Sequence, residues 1–123
     1  MPHCILEYSS NVIEEPDWAN LLKAVHEALM NTGQFVLADI KSRVIKHELF
    51  LVGSGDDNHA FVTLEVQILS GRSDETKSEI SQAIQPILAQ AFRQTLAQMR
   101  CSITVQVSDI HRPSYRRQVN YQA

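Results

Sequence analysis

Hydrophobic and polar residues alternate from the start of the chain. Cys4, Leu6 and Tyr8 fall on one side, and His3, Ile5 and Glu7 on the other. A period of two predicts a strand over 2–8 with one face covered. Glu14-Glu15-Pro16-Asp17 then reads as a helix start, with acids and a proline at the positive end of the helix dipole. Trp18, Leu21, Leu22, Val25, Ala28 and Leu29 follow at helical spacing, and Gly33 is a candidate C-cap. A second strand is predicted over 38–52, where Ile40, Val44, Ile45, Leu49 and Leu51 stand among charges. The run Gly53-Ser54-Gly55-Asp56-Asp57-Asn58 predicts a turn. Ala60, Val62, Leu64, Val66 and Ile68 share one face of a third strand over 60–69. After Gly71-Arg72, Ser73 reads as an N-cap, with Asp74 and Glu75 in the first turn of a helix reaching about residue 99. Its stripe is Ile80, Ile84, Ile87, Leu88, Ala91 and Leu96. Pro86 is expected to kink it, because proline lacks the amide that would bond back to Gln82. A fourth strand over 101–110 alternates through Ile103, Val105 and Val107, and the tail has room for one more short strand.

The order is β-α-β, a turn, and β-α-β again. One domain over 1–123 is expected, with halves at about 2–55 and 58–109 and a tail over 110–123. Crossovers within each half predict parallel strand pairs in one four-stranded, mainly parallel or mixed sheet, with both helices on one face: an α+β fold. The other sheet face is left uncovered. Its alternating residues are expected to be apolar and to need a partner, most economically another copy of the chain.

Composition narrows the field. The 123 residues are 44% hydrophobic and 20% charged, as in ordinary globular domains. The net charge of −3 argues against a general nucleic-acid or membrane-surface binder, which needs a basic face. The basic cluster Arg112, Arg116 and Arg117 reads as a solvated tail rather than a binding patch. No stretch resembles a secretory signal or a membrane span, and Cys4 and Cys101 sit in apolar alternating stretches where buried free thiols are common. These features point to the cytoplasm.

Common catalytic patterns are missing: the chain has no GxGxxG, P-loop, HExxH or CxxC. Its five histidines, His3, His26, His47, His59 and His111, lack ligand spacing, so no metal or other cofactor is expected. What remains is proline directly after the initiator methionine. Removal of Met1 would leave Pro2 as a rigid secondary amine at the head of a strand. N-terminal amines are among the few groups that titrate near neutrality, and nearby cations or an apolar pocket would favour the unprotonated base.

The stretch PHCILEYSSN, with Asp17, Leu21, Thr32-Gly33, Ala38, Ile40, Ser42-Arg43-Val44, Ala60-Phe61-Val62 and Gly71-Arg72-Ser73, resembles the 5-carboxymethyl-2-hydroxymuconate isomerases of the tautomerase superfamily. The resemblance runs from Pro2 to about His111. It implies a tautomerase-like homotrimer and a cofactor-free isomerase acting on a dicarboxylate or tricarboxylate dienol in aromatic-compound catabolism. In that reaction the proline amine takes the proton of the 2-hydroxy group and returns it to a distant carbon, giving a 2-oxo-3-enoate. Pro2 matches the family's base, and Arg72 the arginine of its GRS turn. Arg43 matches a second family arginine. Lys41 stands where the family carries a carboxylate-binding arginine, a departure that offers a point charge in place of a bidentate fork. Two alternatives stay open at this level: a tautomerase of a different enol acid, and a non-catalytic trimeric binding protein of the same fold.

Overall fold

A computed structural model describes residues 1–55 and 58–122. Strand β1 (His3–Ser9) is followed by helix α1 (Trp18–Asn31), strand β2 (Lys41–His47), strand β3 (His59–Leu69), helices α2 (Asp74–Ala91) and α3 (Arg93–Gln98), and strand β4 (Arg100–Ile110). The sheet order is β2-β1-β3-β4. Each half closes a parallel pair, β1 with β2 and β3 with β4, and the halves join through antiparallel β1 and β3. The sheet is thus mixed, with the two expected parallel crossovers.

Alternation explains the layers. Cys4, Leu6, Val62, Leu64, Val66 and Ile68 are buried on one face, against Leu21, Val25 and Leu29 of α1 and Ile80, Ile84 and Leu88 of α2. Each such side chain taken from water contributes about 1.5–3 kcal/mol. The helix starts follow their caps: Asp17 Oδ1 accepts from the Asn20 amide at 3.2 Å, and Ser73 Oγ from the Thr76 amide at 3.2 Å. Gly33, at φ 79, lies one residue past the Thr32 cap, where the left-handed backbone favours glycine.

Several expectations are corrected. β2 occupies Lys41–His47 only, preceded by a single 3-10 turn over Leu37–Asp39. Beyond His47 it has no partner, because β1 ends at Ser9, and Leu49 and Leu51 are left 95% and 74% exposed. The second helical region, expected as one helix to about residue 99, carries Pro86 within α2 and is divided at Phe92, where φ is −114° and ψ 30°. The break rotates the inward face, so Phe92 and Thr95 are fully buried while Leu96, placed in the stripe by periodicity, is 42% exposed. Cys101 is only half-buried. The tail forms a 3-10 turn over Arg112–Ser114 instead of a strand. The turn after β2 is partly visible, with Gly53 and Gly55 at positive φ, but its Asp56 and Asp57 lie outside the described residues.

The uncovered face also differs from expectation. It carries Ile5, Ile45, Phe61 and Leu69, but between them stand His3, Glu7, Thr63, Glu65, Gln67, Thr104 and Gln106, so it is predominantly polar. Glu65 there takes hydrogen bonds from Gln67 Nε2 at 3.0 Å and Ser108 Oγ at 3.0 Å. Among the described residues no helix is long and apolar enough to cross a membrane.

Candidate active site

The topology gathers one end of the sheet from four directions. β1 and β2 begin there, and β3 and β4 finish there, because His3 pairs with both Lys41 and Gln67 and Leu69 pairs with Ile110. Pro2 is buried at the head of β1. Its carbonyl accepts from the Lys41 amide at 3.1 Å, so the parallel ladder already holds the residue before the strand proper.

Asp39 organises the surroundings. Its main-chain oxygen accepts from the Met1 amine at 3.0 Å and from Lys41 Nζ at 2.9 Å, while its carboxylate takes Arg117 Nη2 at 2.6 Å. The Met1 amine is held below its ordinary pKa, first by burial, then by the charge of Lys41, with Asp39 opposing and Arg117 adding to the depression. Burial also lowers His3, assisted by Arg43, Lys41 and the N-terminal charge. His3 Nδ1 is buried without a hydrogen-bond partner. This corner therefore disfavours positive charge on the groups it buries.

Arg72 occupies the turn between β3 and α2. Its Nε donates to Gln34 Oε1 at 3.1 Å, its Nη2 to the Gln34 carbonyl at 3.1 Å, and its Nη1 to the Leu69 carbonyl at 3.5 Å. The guanidinium lies 4.8 Å from the centre of the Phe35 ring. Every partner is uncharged, so the side chain is oriented while its charge stays available to an anion. Gln34 and Phe35 reach it because Gly33 ends α1 at this place.

Lys41 and Arg43 are exposed on the open face of the edge strand, as their spacing predicts. Lys41 joins the N-terminal corner through Asp39, whereas Arg43 lies opposite Ile5, farther along the sheet. Pro2, Lys41 and Arg72 are thus brought to one end, and Arg43 to its margin. The basic tail is exposed, as a solvated tail would be, but two of its arginines are also tied to the fold. Arg112 donates through Nε and Nη2 to the Ser70 carbonyl at 3.1 and 2.9 Å, and Arg117 is paired with Asp39. The sequence reading missed both as neighbours of this corner. The only trace was the basic cluster itself, since a contact across 78 positions has no periodicity to reveal it.

A hollow of about 330 Å³, bordered by Tyr8, Glu14, Trp18 and Lys46, lies at the opposite end of the sheet. It contains none of the predicted site residues.

Comparisons with known proteins give the family and the fold. Residues 2–123 match the family model of 5-carboxymethyl-2-hydroxymuconate isomerase. The chain is 29% identical over 111 residues to the 5-carboxymethyl-2-hydroxymuconate Delta-isomerase of Escherichia coli, covering 90% of this chain and 88% of that protein. Its fold is similar to the crystal structure of a 5-carboxymethyl-2-hydroxymuconate isomerase from Deinococcus radiodurans R1, with a TM-score of 0.88 and 27% identity over 97% of this chain and 90% of that one. A fused 4-OT symmetric trimer shares the fold at a TM-score of 0.69 and 17% identity, covering 89% of this chain and 85% of that one.

Proposed function

The chain belongs to the 5-carboxymethyl-2-hydroxymuconate isomerase family and is an isomerase, and we propose that it ketonises a 5-carboxymethyl-2-hydroxymuconate-like dienol with the Pro2 nitrogen as general base. The observation that carries this reading is the N-terminal corner: the Met1 amine, held below its ordinary pKa by burial and Lys41, precedes Pro2 at the head of a strand, and the same end of the sheet carries Arg72, whose hydrogen bonds go to neutral groups.

With Met1 removed, the secondary amine of Pro2 becomes the N-terminus in the same surroundings. The neutral amine takes the proton of the substrate's 2-hydroxy group. The oxygen lone pair then forms the C2 carbonyl, the C2–C3 and C4–C5 double bonds become one C3–C4 double bond, and C5 receives the proton from the prolinium. The product is the conjugated 2-oxo-3-enoate, the amine is regenerated, and no other reactant enters. Arg72, Lys41 and, from the margin, Arg43 hold carboxylates and stabilise the negative charge that develops on the dienolate. Lys41 among them also lowers the pKa of the N-terminal amine, after burial, so substrate binding and base tuning share that residue.

A homotrimer accords with the family and with Leu49 and Leu51, which the single chain leaves exposed beside edge strand β2. A cytoplasmic location accords with two free cysteines. The test of the base is Pro2→Ala in Met1-free protein, followed by loss of dienol absorbance. A fall in kcat of at least about a hundredfold with an unchanged circular-dichroism spectrum is expected; wild-type kcat would refute the assignment.

A further inference from the structure

The C-terminal tail does more than follow the last strand. Of its three arginines, Arg112 spends Nε and Nη2 on the Ser70 carbonyl, and Arg116 turns Nη1 back onto the carbonyls of Pro113 and Tyr115. Arg117 alone reaches the turn that holds the N-terminus. Its Nη2 meets Asp39 Oδ1 at 2.6 Å, while the main-chain oxygen of the same Asp39 receives both the Met1 amine and Lys41 Nζ. Asp39 is only 14% exposed and Arg117 still 32% exposed, so the carboxylate is the buried holder and the guanidinium the accessible member of the pair.

An arginine has five donors in a rigid fork. One donor given to Asp39 orients the group and leaves others to accept a carboxylate. Arg117 and Lys41 meet at Asp39, and Arg72 stands at the same end of the sheet, so this end presents three cations, which suits a substrate with three carboxylates better than one with a single carboxylate. Resting on the reading of the Pro2 corner as the active site, we propose that Arg117 is a specificity-determining residue that binds a carboxylate of a tricarboxylate substrate, with Asp39 as its positioning residue.

The test compares Met1-free wild type with Arg117→Gln, Arg117→Lys and Asp39→Asn on three dienols: 5-carboxymethyl-2-hydroxymuconate, 2-hydroxymuconate and 2-hydroxypenta-2,4-dienoate, which carry three, two and one carboxylates. Arg117→Gln is expected to raise KM for the tricarboxylate roughly tenfold or more. Its kcat should stay within about twofold, and KM for the monocarboxylate should change little. Arg117→Lys should recover part of the loss, and Asp39→Asn should show a smaller loss of the same pattern. An equal loss on all three substrates, or no loss on any, overturns the proposal. Wild type inactive on every dienol would refute the active-site reading itself. Calorimetric titration with tricarballylate then decides about Arg117: weaker binding by Arg117→Gln than by wild type supports it, and equal curves, including no binding by either, overturn it.

Discussion

The two ends of the sheet handle charge in opposite ways. At the end where β1 and β2 finish and β3 and β4 begin, several charged side chains are matched. Glu7 pairs with His47 at 2.8 Å and Lys46 with Glu48 at 3.4 Å. Glu14 accepts from the Gln94 amide at 2.6 Å, the Thr95 amide at 3.3 Å and Thr95 Oγ1 at 2.6 Å, which ties the loop after β1 to the start of α3. At the Pro2 end, Asp39 pairs with Arg117 and Asp109 with Lys77, but Arg72 and Arg112 are held by neutral oxygens. Matched charge closes a fold. Oriented but unmatched charge is a standing site for an anion, kept because the substrate completes it. The difference separates the two ends more clearly than cavity shape does, for the 330 Å³ hollow lies at the matched end.

The comparison breaks most visibly at Arg72. Arg72→Ala should lower kcat/KM by about 10- to 100-fold, chiefly through KM, since a charged hydrogen-bonding group contributes about 1.5–3 kcal/mol. Unchanged steady-state kinetics would show that its uncompensated charge has no ligand. At the other end, Glu14→Gln should destabilise by about 1–2 kcal/mol in urea unfolding and leave kcat/KM within about twofold. Burial would raise the Glu14 carboxyl pKa, but the hydrogen bonds from Thr95 and Gln94 outweigh it and the group is held below its ordinary value of 4.5. The folded pKa is depressed. The stabilisation is therefore complete above about pH 4.5 and is lost as pH falls through the lower folded value. Urea midpoints of wild type and Glu14→Gln measured down the acid limb should converge, and a constant gap would contradict the assignment. The smallest effect belongs to Lys41→Arg. A bidentate fork on the exposed edge should lower KM for the dienol about two- to threefold with kcat unchanged.

How much of this was legible in the sequence follows from the range of each interaction. The four strands, the two caps at Asp17 and Ser73 and the parallel crossovers are local or periodic, and each was readable. The extent of β2 was not, because its end is set by where β1 stops pairing and not by its own apolar residues. Leu96 left the buried stripe for a similar reason: the helix breaks at Phe92, where Glu14, eighty positions away in sequence from Gln94, takes the amides at the start of α3. Pro2, Lys41, Arg43 and Arg72 could be named from the family likeness, yet the likeness gave no sign that Asp39 would hold the N-terminus, Lys41 and Arg117 together. Charge at the tail was visible as composition; its target was fixed only by folding.

The central claim is that the unmatched end serves a free Pro2 amine. Its most direct measurement is dienol ketonisation by two preparations of the same chain, separated by mass spectrometry into Met1-free and Met1-retaining forms. The account predicts that activity resides in the Met1-free chain and that its kcat/KM rises with pH through the amine's pKa, below the range of an unperturbed proline amine. Equal turnover by the Met1-retaining chain, whose Pro2 nitrogen is an amide and holds no basic lone pair, would contradict it.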